Sequence, residues 1–550
     1  MIKIENNTFY LTAGEACYIF GIEDGVPAHI YFGKRVEPED DVRELGYGAD
    51  KIAELTVQIV AADGKKQNAE FVFDGAEVTE SDAKKLVVTL KDKKHSLTAR
   101  MYYTPNPRGG LYRQAEIENF GGEIVLCAVR QSIARGNGCN VVVADGYNNA
   151  TKDTGYLAVA TSAGLDEQKG DAYGFLCAAA DGAVTAPGEN AISCEIDGSI
   201  RLEGGQKYAC PEMLCVYSDS GLGGMTRIFH DILREKQGGL SERIPAVLFL
   251  PIQEERDALA SVKTAVEIGF GVVAVDCGRY SAPAIQTLAS ACAEQGITVG
   301  LRVNRENIYK DSALYSPLCK KSGGEGGYKY GYSDEHTLAL IETLSGIIAQ
   351  NDVRYVTIDA PFMSDAKAAR GMFTLKDRLA ERFEGLRVDF GIMSDTLGKE
   401  FTFCYPLGMV RNIISPLPAE SFKQRFDCAT LGTLGYELPT ELSDGIKRAV
   451  RAQILSYQDD ARSVMRGDMY RQHGEGGACR MAVSKDKSRA YAVCEVKNRM
   501  RLKFFGLDEH NLYHVREMNK TFSGAALVHC GVALKEAGTY VFHILQVADY

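Results

Sequence analysis

Seven short runs of apolar residues recur between positions 246 and 438, and their spacing constrains the fold more than any other feature of the chain. They are AVLFLP (246–251), GVVAVD (271–276), TVGLRV (298–303), RYVTID (354–359), LRVDFG (386–391), MVRNIIS (409–415) and TLGTLGYEL (430–438). A strand that is apolar on both faces must be covered on both, which is the setting of a parallel sheet wrapped in helices. Stretches such as ERDALASVKTAVEIG supply helices between the runs. A closed (β/α)8-type barrel needs eight such units and seven are visible, so residues 245–472 read as a TIM-like barrel lacking one unit. An open doubly wound sheet is the alternative, and a length of about 230 residues suits the barrel better.

The chain on either side follows another rhythm. Up to about residue 220 it alternates apolar and polar residues in short runs, AHIYFGKRV, ELTVQIVAADG and KLVVTLKDKKHSLTARMYY among them, with Gly, Asn and Asp at the breaks. Period-two alternation of this kind predicts a large antiparallel sandwich of about twenty strands. GLGGMTRIFHDILREK then places Met225, Ile228, Phe229, Ile232 and Leu233 on one helical face, closing a domain over 1–235. After the long helix SDGIKRAVRAQILSYQDDARSVMRG, alternation returns from CRMAVSKDKSRAYAVCEV to YVFHILQVADY and predicts a β cap over 475–550. A chain of 550 residues exceeds what one core organises, in keeping with three domains.

Several classes of function are excluded. The formal net charge is −11 and no dense Lys/Arg run occurs, so nucleic acid is not an expected partner. The start carries no secretory pattern and no stretch reaches the roughly 18 apolar residues of a membrane span, so a cytoplasmic protein without a membrane partner is expected. Fifteen cysteines are scattered without a CxxC pair, which suits reduced thiols acting as small core residues. His510 and His514 stand four apart in a segment that reads as strand and turn, so no metal site is expected. No GxxxxGK[ST] loop is present, GGEGG (323–327) reads as a flexible loop, and no cofactor is implied.

In a barrel the chemistry collects at the strands' C-terminal ends. The second run ends in Asp276-Cys277-Gly278-Arg279 and the third in Arg302-Val303-Asn304-Arg305-Glu306. The fourth ends in Asp359, and the fifth is followed by Ser394 and Asp395. A carboxylate that caps an apolar run is costly to bury unless paired or used, and it also caps helices, so both readings of Asp359 stand at this point. Asp359 and Asp395 on neighbouring strand ends form a pair of the kind that glycoside hydrolysis requires. Arg279 and Arg302 read either as donors to hydroxyls or an acidic group, or as rim ion pairs with Asp276 and Glu306.

The sequence resembles the α-galactosidases of glycoside hydrolase family 36. The resemblance is carried by HIYFGKRV, DAYGF (171–175), PEMLCVYSDSGLGGMTRIFHDILR (211–234), LGTLGYELPTELSDGIKRAVRAQILSYQDDARSVMRGDMYR (431–471), VSKDKSRAYAV and RLKFFGLDEHNLYHV. It implies a β-supersandwich, a catalytic barrel and a β-sandwich cap. It also implies a retaining mechanism whose nucleophile ends strand four in a Lys-Trp-Asp triplet, here Thr357-Ile358-Asp359. The family's Asp-Asp-Gly-Trp sugar motif appears as Asp276-Cys277-Gly278-Arg279, and after strand three Arg302 and Asn304 take the places of an aromatic and a polar sugar ligand. The family's Ser-Asp-x-Thr-Asp acid/base motif follows strand six, and here a strand-and-loop unit is missing between strand five and YPLGMV. Ser394-Asp395-Thr396 is either a remnant of that motif or a coincidence.

The expected protein is a glycoside hydrolase acting on α-galactosides or on a modified or acidic sugar, with Asp359 as nucleophile, Asp395 as acid/base and Asp276, Arg279, Arg302 and Asn304 contacting the sugar. The alternative is a hydrolytically silent relative that binds carbohydrate or serves as a scaffold. With no tryptophan in the chain, stacking against a sugar would fall to tyrosine or phenylalanine. A homo-oligomer whose neighbouring subunit helps to line the pocket remains open.

Overall fold

The computed structural model describes the chain except at residues 38–40, 48–50, 61–63, 81–82, 135–139, 145–153, 156, 163, 178–181, 187–190, 197, 237–244, 251–254, 332, 360–365, 394–403, 419–420, 440 and 548–550. It forms two compact units, one of Met1–Ile232 with Phe362–Thr374 and one of Leu233–Pro361 with Leu375–Tyr550. The fold is multidomain, with β-rich regions before and after a closed parallel barrel along the chain.

Among the described residues, twenty strands lie between Ile2 and Ser218, in antiparallel sheets of four, nine and seven strands. Their alternation is the cause: in Gly110–Asn119 every second side chain is buried, and Leu111, Ala115 and Ile117 join one apolar core drawn from all three sheets. That core also encloses an ion pair. Arg113 Nη2 donates to Glu54 Oε2 at 2.6 Å with both side chains buried, and the Tyr103 hydroxyl donates to the same oxygen at 2.9 Å.

All seven apolar runs form strands: β1 (Val247–Phe249), β2 (Val272–Asp276), β3 (Thr298–Val303), β4 (Tyr355–Asp359), β5 (Arg387–Met393), β6 (Val410–Ile414) and β7 (Thr433–Glu437). Each pairs in parallel with the next, and β7 pairs with β1 through Val247↔Gly435, Leu248↔Tyr436 and Phe249↔Glu437, so the ring closes with seven. β5 hydrogen-bonds β6 directly, leaving no place for an eighth strand where a unit is missing.

A smaller ring has a narrower lumen, and the sequence shows it. Eight strands leave an interior just wide enough for side chains to fill it. Here the inward positions at mid-height include Ala274, Gly300, Gly391 and Gly435. A Cβ on Gly300 would come within 2.6 Å of the Tyr355 ring, and one on Gly435 within 2.5 Å of the Phe249 ring. Glycine weakens an ordinary strand; in this one it admits the rings of the neighbouring strands into the lumen.

Below this waist lies a polar floor. Arg411 donates through Nη2 and Nε to Asp389 Oδ2 at 2.9 and 3.1 Å, and through Nη1 to the Leu434 carbonyl at 2.6 Å. The Tyr355 hydroxyl completes the cluster by donating to Asp389 Oδ1 at 2.8 Å.

After the helix Asp444–Arg466, a six-stranded antiparallel sheet and a two-stranded ribbon (Met500–Leu502 with Val532–Leu534) share a further core that includes Cys479 and Cys494. The cysteines are small core residues in the main, but Cys530 is exposed, so the expectation fails there. No helix among the described residues is long and apolar enough to cross a membrane.

Candidate active site

At the strands' C-terminal ends the inward positions change from small and apolar to charged. The pleat that points Tyr355 and Thr357 into the lumen points Asp359 there too, at the mouth. Arg302, at the fifth position of β3, donates through Nε to both Asp359 oxygens at 2.9 Å. Its Nη1 donates to Glu437 Oε1 at the end of β7, and its guanidinium lies over the Phe249 ring, 5.6 Å from the centroid. One cation therefore joins two carboxylates that come from different strands.

Burial pushes the Asp359 carboxyl above its ordinary value, and Arg302 opposes the rise. Burial acts to lower the pKa of Arg302, but Asp359 and Glu437 more than reverse this and the guanidinium stays charged. Arg302 thus favours the ionised form of Asp359 without cancelling the effect of burial, while the carboxylates hold Arg302 charged.

Asp276 ends β2 beside Arg302, with which it pairs in register. Its carboxyl is pushed up to about 6, by burial first and then by Asp359, against the pull of Arg302 and Arg279. Its Oδ1 accepts from the Gly278 backbone N–H at 2.9 Å, and its Oδ2 faces Arg279 Nε at 3.3 Å. Arg279 also reaches Glu325 at 3.3 Å and lies over the Tyr309 ring at 5.5 Å. The GGEGG segment is a loop between two short strands. It turns the hairpin of Lys320–Lys321 and Tyr328–Lys329 and presents Glu325 to Arg279.

Asp276, Arg279, Arg302 and Asp359 are thus neighbours, as their strand positions imply. The expected rim pair of Arg279 with Asp276 is present, whereas Arg302 turns inward to Asp359 and Glu437 instead of pairing with Glu306. The cause is the pleat: Arg302 occupies an inward position two residues after Gly300. Asn304 uses its side-chain oxygen in a local turn, accepting from the Glu306 N–H at 3.0 Å. Asp395 lies outside the described residues.

Glu437 was missed in the sequence. It ends the apolar run TLGYE just as Asp359 ends YVTID, so the rule that selected Asp359 applies to it as well. Thr357, where the resemblance expects lysine, is buried with its hydroxyl unpartnered. Among the described residues no group of three or more His, Cys, Asp or Glu is arranged to hold a metal ion.

A model of the glycosyl hydrolase family 36 C-terminal domain matches residues 478–545. Alpha-galactosidase AgaA of Geobacillus stearothermophilus is 24% identical over an alignment of 715 residues that covers 96% of this chain and 96% of that protein. Because 715 positions exceed the 550 residues of this chain, the relative carries segments that are absent here. The crystal structure of the family 36 α-galactosidase AgaB of the same organism superposes with a TM-score of 0.79 at 19% identity, covering all of both chains. A variant of AgaA solved in complex with raffinose superposes with the same score and identity over 98% of this chain and 100% of that one. The structural likeness establishes the fold; the chemistry must come from the residues at the mouth.

Proposed function

From the premise that this chain is an α-galactosidase-like protein of glycoside hydrolase family 36, we propose that it hydrolyses α-linked galactosides with retention of configuration and that Asp359 is the nucleophile. The observation that carries this reading is the Arg302–Asp359 contact at the mouth of the closed barrel. A nucleophilic carboxylate must be ionised and must face the anomeric carbon from a water-poor site. Arg302 favours the first condition against the effect of burial, and the strand end supplies the second.

Each Asp359 oxygen shares one Nε–H and keeps lone pairs for attack, since an ionised carboxylate has about four acceptor sites. Positive charge that could have favoured an acidic sugar is already matched: Arg279 faces Asp276 and Glu325, and Arg302 faces Asp359 and Glu437. A neutral galactoside is accordingly the proposed substrate. A cytoplasmic setting belongs to the same proposal, supported by fifteen cysteines scattered along the chain without a CxxC pair.

The test is turnover of nitrophenyl α-galactoside, with the anomer first released identified by NMR. Activity is expected to give the α-anomer and to vanish in Asp359→Asn. Equal rates for wild type and variant would return the chain to the silent carbohydrate-binding alternative.

A further inference from the structure

A retaining hydrolase needs a second carboxyl group on the far side of the scissile bond, to protonate the departing oxygen and later to deprotonate water. Two described carboxylates share the mouth with Asp359, and their places in the ring differ. Asp276 ends β2, separated from β4 by β3 alone, so it lies on the nucleophile's own wall. Glu437 ends β7, separated from β4 by β5 and β6 on one side and by β1, β2 and β3 on the other. It faces Asp359 across the lumen. Resting on the reading of Asp359 as nucleophile, we propose that Glu437 is the general acid/base.

Arg302 provides the measure of the gap. One guanidinium hydrogen-bonds both carboxylates, so they stand a single guanidinium apart, close enough to act on one bond, for which a retaining pair needs about 5 to 5.5 Å. Exposure also separates their roles. The Glu437 side chain is 33% exposed and that of Asp359 15%, so Glu437 occupies the solvent side, where the leaving group departs, and Asp359 the deep side.

The same arginine couples the two charge states. Arg302 gives one N–H to each carboxylate, and Glu437 is the more exposed partner, so the Glu437 arm is the one an entering sugar displaces. The first step requires Glu437 in its protonated form with the Arg302 arm moved off it. An Asp359 oxygen then bonds to the anomeric carbon as the glycosidic bond breaks, and the departing oxygen takes the Glu437 proton together with the bonding electron pair. Esterification removes the charge on Asp359. Arg302 is thereby released toward Glu437 and favours its ionised form, the form needed to accept a proton from water. Water oxygen bonds to the anomeric carbon, the ester bond breaks, and its electron pair returns to Asp359.

The experiment compares wild type with Glu437→Ala, Glu437→Gln, Asp276→Asn and Asp395→Ala on dinitrophenyl and methyl α-galactosides, with and without azide. The Gln variant retains the bulk of Glu437 and guards against loss of folding, which thermal melting checks. The expected result is a loss of about 100 to 10,000-fold on the methyl glycoside in both Glu437 variants. The first step on the dinitrophenyl substrate is expected to be spared, and azide to restore turnover of Glu437→Ala with α-galactosyl azide as product. Equal losses on both substrates, or the same pattern in the Asp276 or Asp395 variant instead, would overturn the assignment while leaving Asp359 untouched. Wild type inactive on both substrates would overturn the nucleophile reading and this one together.

Discussion

The floor and the mouth of the barrel are built from the same chemistry, an arginine held by inward-facing carboxylates, and they do opposite things. At the floor, Arg411 and Asp389 are fully buried, and the hydrogen bonds of both groups go to protein partners. At the mouth, Arg302 serves two carboxylates whose exposures differ, and one arm opens to solvent. A fully enclosed pair has no exchange partner, and breaking it strands a charge in low dielectric. A half-open pair can trade one arm for water or substrate. The lesson is that enclosure, more than the ion pair itself, separates a structural arginine from a working one.

The comparison can be broken at the mouth first. Asp359→Asn is expected to lower kcat/KM by at least about 10⁴-fold, while leaving the free energy of urea unfolding within about 1 kcal/mol of wild type. A large loss of stability would mean that the mouth is structural after all. At the floor the signs reverse: Asp389→Ala should cost about 3 to 5 kcal/mol by urea denaturation, because Arg411 is left buried and unpaired. The double change Asp389→Leu with Arg411→Met should recover most of that loss.

Asp276 sharpens the contrast through pH. Its carboxyl stands at about 6 in the folded chain, against an ordinary value of 3.8. A raised acid favours the folded state fully below its ordinary value, and that contribution is lost as pH rises through about 6. Asp276→Asn removes the effect, so its stability relative to wild type should rise by up to about 3 kcal/mol between about pH 4 and pH 7. A pH-independent difference would place the Asp276 carboxyl in ordinary solvent. The smallest effect is expected at the waist that divides the two regions. Gly435→Ala would drive a Cβ against the Phe249 ring and the Arg411 side chain, at a cost of about 1 to 3 kcal/mol in thermal or urea unfolding.

Much of this was legible in the chain. Seven apolar runs predicted seven strands because a strand covered on both faces needs apolar residues at consecutive positions, a local property. Asp359 and Asp276 were legible as carboxylates that end such runs. Glu437 is equally legible as a carboxylate at a strand end, although its apolar run continues into Leu438. Nothing local in GGEGG shows the pairing of Glu325 with Arg279, 46 positions away.

What the sequence by itself determined was the order of the elements, the face on which each side chain points and the residue types available at each strand end. These follow from periods of 2 and 3.6 residues, which need only near neighbours. The tertiary structure alone decided that the ring closes at seven, that glycine fills a narrowed waist, and that Arg302 meets partners 57 and 135 positions away. Ring closure joins the first strand to the last, and side chains that meet across a lumen leave no periodic mark on the chain.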